Sequence, residues 1–207
     1  MNTIDELRQA LAALLPGALR KLVARIREGE ARGIYSFVLY PSSGFRDIGT
    51  AFSSRRTLAE AYEKGQALNA ELEAMMKEHP DLQLNDLSYT SSEAYYEVNA
   101  CEWHFISLFQ EELAEVNRTI DRVYSLLQDQ GVDSATINST FEELSVEAIK
   151  RLKSEGAFSA PTFEDDVLLG VQFPDSSDQE LVVRVSAILN SPAWHTKIIQ
   201  NSKEVDE

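Results

Sequence analysis

Apolar residues recur along this chain at two different periods, and each change of period predicts where a helix gives way to a strand. A spacing of 3.6 residues runs through residues 1–30, which we expect to form two short helices or one helix kinked at Pro16. β-Branched and aromatic residues then dominate 34–40, a turn sequence follows, and a second run returns over 45–53. This arrangement predicts a β-hairpin.

A helix is predicted to follow the hairpin, with Thr57 as its N-cap and an end near His79-Pro80. Its buried stripe is expected to consist of five residues at helical spacing: Leu58, Tyr62, Leu68, Leu72 and Met75. Residues 81–98 show no clear period, and three tyrosines lie among their serines and threonines.

The most regular pattern is a heptad seam, in which apolar residues alternate at steps of three and four. It contains seven residues: Ile106, Phe109, Leu113, Val116, Ile120, Val123 and Leu127. We expect one long helix over Asn99–Gln130, opened by Asn99 with Glu102 as its cap and ended by Gly131. Such a seam fits the core of a single domain or a zipper between two copies, and we favour the core.

The next pattern predicts a helix followed by a strand. Ser139 with Glu142 has the spacing of a helix start, and Gly156 is a residue typical of a helix end. Alternating apolar residues over 166–173 then predict a strand.

Two helices are predicted to finish the chain. The valines of Leu181–Leu189 favour a strand, whereas the spacing of its apolar residues favours a helix. A cap formed by Ser177 with Glu180 favours the helix. A short helix over 192–200 and a polar tail over 201–207 follow.

Strands on both sides of a helical middle predict an α+β fold. We expect a single domain over 1–207, in which a small, mostly antiparallel sheet packs with several helices, one of them long and central. No linker rich in Pro, Gly or Ser and no internal repeat divides the sequence.

Charge limits the kind of partner. The formal net charge is −15; residues 1–56 hold nine Lys/Arg against five Asp/Glu, and 57–207 hold ten against 29. Such a surface repels nucleic-acid phosphates and anionic lipid and favours a basic protein partner, although acidity also serves solubility alone. We expect no nucleic-acid or membrane binding.

The expected compartment is the cytoplasm. No apolar run approaches the roughly 18 residues of a membrane span, and Asp5 and Glu6 precede the first apolar stretch, unlike the order in a signal peptide. The single cysteine, Cys101, leaves no internal disulfide to form.

Candidate chemistry is sparse. Cys101 and His104 stand three apart on the predicted long helix, the spacing at which a nucleophile and a base can be neighbours, but a lone cysteine is more often a packed residue. The histidines lack metal-ligand spacing. Paired carboxylates such as Glu111-Glu112 and Glu142-Glu143 are typical of solvated helix faces. We therefore expect no catalytic residue, no metal and no cofactor.

Three segments resemble a known bacterial family, domain of unknown function 4303: residues 35–40, residues 96–103 with their Glu-Trp, and 166–175 followed by 189–192. The resemblance extends over about residues 30–195, although this chain reads Leu-Asn-Ser-Pro where the family pattern is Leu-Asn-Pro. Members are often encoded beside secreted bacterial toxins, which implies immunity proteins that bind and block a toxin.

The sequence therefore favours a non-enzymatic cytoplasmic binding protein, with immunity to a toxin domain as its implied role. A regulatory or adaptor module with an endogenous partner, including a homodimer through the heptad seam, is the alternative. A hydrolase using Cys101 or paired carboxylates ranks third. Glu102 and Trp103 fit either a helix cap and anchor or a binding groove with nearby tyrosines. The candidate partner-binding residues are Tyr95, Tyr96, Glu97, Glu102 and Trp103.

Overall fold

A computed structural model describes residues 3–79, 92–174 and 178–205, and in these ranges seven α-helices surround one four-stranded sheet. In chain order the elements are α1 (Thr3–Glu28), β1 (Ile34–Pro41), β2 (Ile48–Ser54), α2 (Arg55–Glu78), α3 (Glu93–Val98), β3 (Phe105–Ile106), α4 (Ala114–Asp129), α5 (Ser134–Ser154), β4 (Phe163–Val171), α6 (Gln179–Leu189) and α7 (Pro192–Val205). No helix in those ranges has the length and apolar character to cross a bilayer.

The sheet has the order β3-β2-β1-β4. β1 pairs with β2 and β2 with β3 in antiparallel fashion, whereas β4 joins the other edge of β1 in parallel. The predicted α+β class with a mostly antiparallel sheet is confirmed. The predicted hairpin is confirmed too, but its second strand begins at Ile48, because a 3-10 turn with left-handed Gly44 (φ 72°) and Phe45 (φ 54°) occupies the residues before it.

The two faces of the sheet support separate hydrophobic cores. Phe37 and Leu39 face a large core built with α1, α4 and α5, whereas Tyr35 and Val38 face a smaller one built with the start of α2, α3 and α7. A register irregularity between Ile34 and Ser36 interrupts the alternation, so Tyr35 and Val38 lie on the same face although they are three residues apart. Every residue of β1 is buried, which explains why its sequence is an almost continuous apolar run rather than an alternating one.

The N-terminal region is one continuous helix that contains Pro16, which decides between the two forms left open by the sequence. One side of it is fully buried in the large core, through Leu7, Leu11, Leu15, Leu19, Leu22 and Ile26.

The predicted long helix over Asn99–Gln130 is wrong in its first half. A 3-10 turn covers Ala100–Glu102, β3 follows, and a second 3-10 turn covers Gln110–Leu113, so α4 begins only at Ala114. Phe105 and Ile106 instead pair with β2, and the left-handed residues Ser107 and Phe109 reverse the chain. Pairing with a strand distant in sequence has overridden the helical spacing.

The part of the heptad seam that is helical lies inside the domain. Val116, Ile120 and Leu127 are at most 1% exposed and pack in the large core. The preference for a core helix is confirmed for this segment, and a zipper between copies through the same residues is excluded because their side chains are already covered.

Two predicted helix starts are wrong. α2 is capped by Ser54, not Thr57; the Ser54 hydroxyl accepts from the Thr57 N–H, while the Thr57 hydroxyl accepts from the Ser54 N–H. α5 is capped by Asp133, not Ser139, because its carboxylate accepts from a backbone N–H at 2.8 Å. In both cases a residue further upstream satisfies the free backbone donors of the first turn.

Leu181–Leu189 is helical, as the spacing favoured. Asp178 caps this helix through the Leu181 N–H; the predicted cap residue Ser177 lies outside the described residues. The predicted polar tail is wrong over 201–205, since α7 continues to Val205 and buries Asn201.

The predicted helix ends are confirmed. α4 and α5 are followed by the left-handed glycines Gly131 (φ 72°) and Gly156 (φ 74°), and α2 ends at Glu78 with His79 as its C-cap. A positive φ costs little energy only for glycine, so the local sequence is sufficient to predict where these two helices end. Pro80 lies outside the described residues.

Candidate functional site

A groove of about 550 Å³ opens between α2, α3 and the turn over residues 100–104. We call it the α2–α3 groove; its principal lining residues are Glu60, Gly65 and Leu68 on α2 and Tyr96, Glu102 and Trp103 opposite. Three of the five predicted partner-binding residues therefore meet at one surface.

The other two predicted residues do not line this groove. Tyr95 is partly buried beside Tyr96, with the two rings edge to face at 5.8 Å. Glu97 turns into the protein and is 8% exposed. On a six-residue helix such as α3, consecutive residues point in different directions, so neighbours in sequence do not share a surface.

The aromatic wall of the groove is held rigidly. The indole N–H of Trp103 donates to the backbone carbonyl of Tyr96 at 3.1 Å, and its ring meets Tyr35 edge to face. The Tyr96 ring packs on Tyr62 at 6.0 Å. A β-carbon at Gly65 would collide with the Tyr96 hydroxyl, so glycine at this position allows α2 to approach the ring closely.

Buried amide side chains fix the backbone behind this wall. Gln172 donates to the carbonyl of Val98 and accepts from the N–H of Ala100, both at 2.8 Å. The side chain of Asn99 donates to the carbonyl of Tyr95 at 2.9 Å. The predicted cap of Asn99 with Glu102 is therefore wrong, because the Asn99 amide secures the end of α3 instead.

Trp103 acts as an anchor, though not of the predicted helix. It is 4% exposed and belongs to the smaller core, where it joins the turn over 100–104 to the sheet. Glu102 is partly buried on the groove side.

Glu97, itself buried, is the centre of an ion cluster. Its two carboxylate oxygens accept from Arg55 Nη1 and Lys197 Nζ, each at 2.5 Å. Arg55 also makes two 3.0 Å hydrogen bonds to Glu164 and lies 4.3 Å from the centre of the Tyr35 ring. The cluster ties α3 to α2, β4 and α7. Nothing local in the sequence indicates it, since its partners lie 42 and 100 residues away.

Raising the pH above about 10 is expected to destabilise the fold through Tyr35. Burial raises the pKa of its phenol to about 12, whereas an unfolded tyrosine ionises near 10. The folded state thus holds this proton more tightly, so the contribution is complete below pH ~10 and is lost as the pH rises through 12, in total about 2 to 3 kcal/mol.

Urea unfolding of wild type and Tyr35→Phe between pH 8 and about 12 measures this effect. The variant should show a flatter decline, although Tyr95, whose pKa burial also raises to about 12, leaves a residual slope. A variant as steep as the wild type would contradict the assignment to Tyr35.

Ion pairs with α5 engage two arginines of the basic N-terminal helix. Arg8 pairs with Glu143 at 2.7 Å, and Arg20 makes two 2.7 Å hydrogen bonds to Glu155, which together with Arg151 lower the pKa of that carboxyl to about 2. These arginines face acidic partners rather than a common open surface.

The paired carboxylates singled out in the sequence are partners of arginines. Arg25 contacts both Glu111 and Glu112, and Glu142 accepts two hydrogen bonds from Arg184. Each of these acids thus has an arginine within ion-pair distance.

Cys101 and His104 do not share a helix, so that prediction is wrong. Cys101 lies in a 3-10 turn with its thiol 3.8 Å from Glu102, and the His104 ring packs edge to face on Phe105. Among the described residues no group of three or more His, Cys, Asp or Glu side chains could hold a metal ion.

The C-terminal motif has a structural explanation. The side chain of Asn190 accepts from the N–H of Leu169 at 2.7 Å and donates to its carbonyl at 2.8 Å. It thereby satisfies the outer edge of β4, as a neighbouring strand would. Next to it, Ser191 and the Trp194 indole bond Asp166.

Comparison with family models gives one match. The model described as Domain of unknown function (DUF4303) matches residues 34–191, a span that runs from β1 to the end of α6 and contains both walls of the groove. Comparison with curated proteins and with solved structures gives no match.

Proposed function

We propose that this chain, which belongs to the DUF4303 family, is a binding protein without catalytic activity that captures a cationic bacterial toxin domain and blocks it. The observation that carries the proposal is the α2–α3 groove, in which a rigid aromatic wall faces carboxylates within an acidic chain. The resemblance to a family often encoded beside toxins supports the same role.

The groove supplies the two elements that a tight protein interface needs. Tyr96 and Trp103 are already fixed before binding, so an incoming side chain can contact their small exposed edges, 8% and 4% of each residue, without ordering the wall first. Glu60 and Glu102 stand on opposite walls and attract a cationic residue, although Glu60 already pairs with Arg56 at 3.1 Å.

The acidic charge should affect the association rate of the partner more than its affinity. Residues 57–207 hold ten Lys/Arg against 29 Asp/Glu, which creates a field that steers a cationic partner. The Debye length falls from about 10 Å at 0.1 M salt to about 3 Å at 1 M. Association should therefore slow with salt, while dissociation, governed by buried contacts, changes much less.

The deciding experiment co-expresses this protein with the toxin domain encoded beside its gene in a sensitive cell. Survival is expected with the wild type, together with a one-to-one complex on purification. Glu60→Lys/Glu102→Lys should lose protection and slow association at least tenfold, because two attractive charges become repulsive. Cell death in the presence of the wild-type protein, with no complex recovered, would overturn the proposal.

A matched control is available on the opposite face of the sheet. Glu115→Lys/Asp121→Lys makes the same change of charge at two exposed positions of α4, far from the groove, and should retain protection. Equal loss in both double variants would assign the effect to net charge rather than to the groove. Thermal melting of each variant ensures that folded proteins are compared.

The hydrolase alternative is tested in the same cells. Cys101→Ser is expected to protect as well as the wild type, and a chelator should leave the melting temperature unchanged. Loss of protection by a fully folded Cys101→Ser protein would replace the binding proposal with nucleophilic chemistry.

A further inference from the structure

The outer half of α2 carries apolar side chains with little cover. The predicted buried stripe is confirmed at Leu58, but Leu68 is 51% and Met75 46% exposed, with Leu72 only partly covered between them. These three residues follow the helical period and form one face, which we call the α2 ridge (Leu68, Leu72 and Met75). Because Leu68 also lines the α2–α3 groove, the ridge extends the groove along the helix.

An acidic flank accompanies the ridge. Glu60, Glu71 and Glu78 are exposed and recur at helical spacing along one side of it, together with Lys64. Arg56 pairs with Glu60 at 3.1 Å, so three carboxylates stand against two cations, and this side keeps a net negative charge. An apolar face bordered by acid is complementary to an apolar face bordered by basic residues.

A helix is the element that fits this surface. The ridge residues are separated by four and three positions, so they form a row that can interdigitate with the side chains of an adjacent helix. A single extended strand would gain no backbone hydrogen bonds there, since the backbone groups of α2 are used within the helix. A second copy of this chain would place the acidic flank against itself, which disfavours self-association.

We propose that the α2 ridge docks a cationic amphipathic helix of the partner, laid along α2 with one end in the groove. The inference rests on the proposed function, because it names the element by which the captured domain is held. Apolar residues of the partner helix cover Leu68, Leu72 and Met75, while its lysines or arginines face the acidic flank.

The first test uses Leu68→Glu/Met75→Glu, a double variant at exposed positions that should fold normally. Two probes are titrated: the adjacent toxin domain, and a synthetic amphipathic helix of leucine and lysine beside a scrambled peptide of the same composition. Affinity for the toxin domain and for the ordered peptide should fall about tenfold or more, because the apolar contact with the ridge is lost. Only the ordered peptide should protect amides of α2 from hydrogen exchange.

Leu126→Glu/Ile188→Glu is the matched control, since these side chains are exposed to a similar extent, 44% and 49%, on other helices. It should bind both probes like the wild type. Equal loss in both double variants, or equal binding of the scrambled peptide, would overturn the inference by showing a general charge effect.

The outcomes also separate this inference from the proposed function. Full protection against the toxin by Leu68→Glu/Met75→Glu would refute the ridge while leaving the immunity role intact. Absence of protection by the wild type, with peptide binding still localised to α2, would refute the immunity role and retain the ridge. A wild-type dimer that the double variant converts to a monomer would identify the occupant as a second copy and overturn the proposal.

Discussion

Ile120→Asp is expected to unfold the entire domain. The side chain is fully buried among apolar residues of the large core, where α4 packs against α1. Burying an unpaired charge and losing the apolar contacts costs on the order of 5 kcal/mol or more, which is comparable with the whole stability of an ordinary domain.

Circular dichroism melting combined with size-exclusion chromatography measures the result. Leu126→Asp provides the control, because it introduces the same carboxylate on the same helix at a position that is 44% exposed. The free energy of unfolding of that protein should lie within about 1 kcal/mol of the wild-type value. A folded Ile120→Asp protein would contradict the placement of this residue in the core.

Removing both cations from Glu97 is expected to damage the fold more than removing the carboxylate itself. Glu97 has only 10% of its side chain exposed, whereas Arg55 and Lys197 are each 45% exposed. Arg55→Met/Lys197→Met therefore leaves a buried charge without a partner, at a cost of about 3 to 5 kcal/mol. Glu97→Gln leaves two cations that water can reach, and should cost only about 1 to 2 kcal/mol.

Urea unfolding of both variants gives the comparison, and the triple variant with Glu97→Gln completes the cycle. Adding Glu97→Gln to the double variant should recover part of the lost stability, because the uncompensated charge disappears. An order of stability opposite to this one would mean that the Glu97 carboxylate is solvated in the folded protein rather than buried against its two cations.

The sequence indicated the chemical character of the α2–α3 groove, but it did not show which residues line the groove. Aromatic residues beside Glu-Trp indicated a binding surface, and Tyr96, Glu102 and Trp103 do meet there. Gly65 and Leu68 had no signal for the groove in the sequence, because α2 reaches it from another part of the chain. The sequence also did not indicate that Glu97 lies outside the groove, because its position depends on a lysine 100 residues away.

By itself the sequence determined the elements whose causes are local. The hairpin follows from an apolar run, a turn and a return run; the ends of α4 and α5 follow from glycines that accept a positive φ. Only the tertiary structure decided where α4 begins, because helical spacing over 99–113 is overridden once Phe105 and Ile106 pair with β2. The tertiary structure likewise decided that Leu68 and Met75 stay exposed although they continue a helical stripe. Spacing defines which face of a helix is apolar, whereas burial requires a second surface that the chain brings from elsewhere.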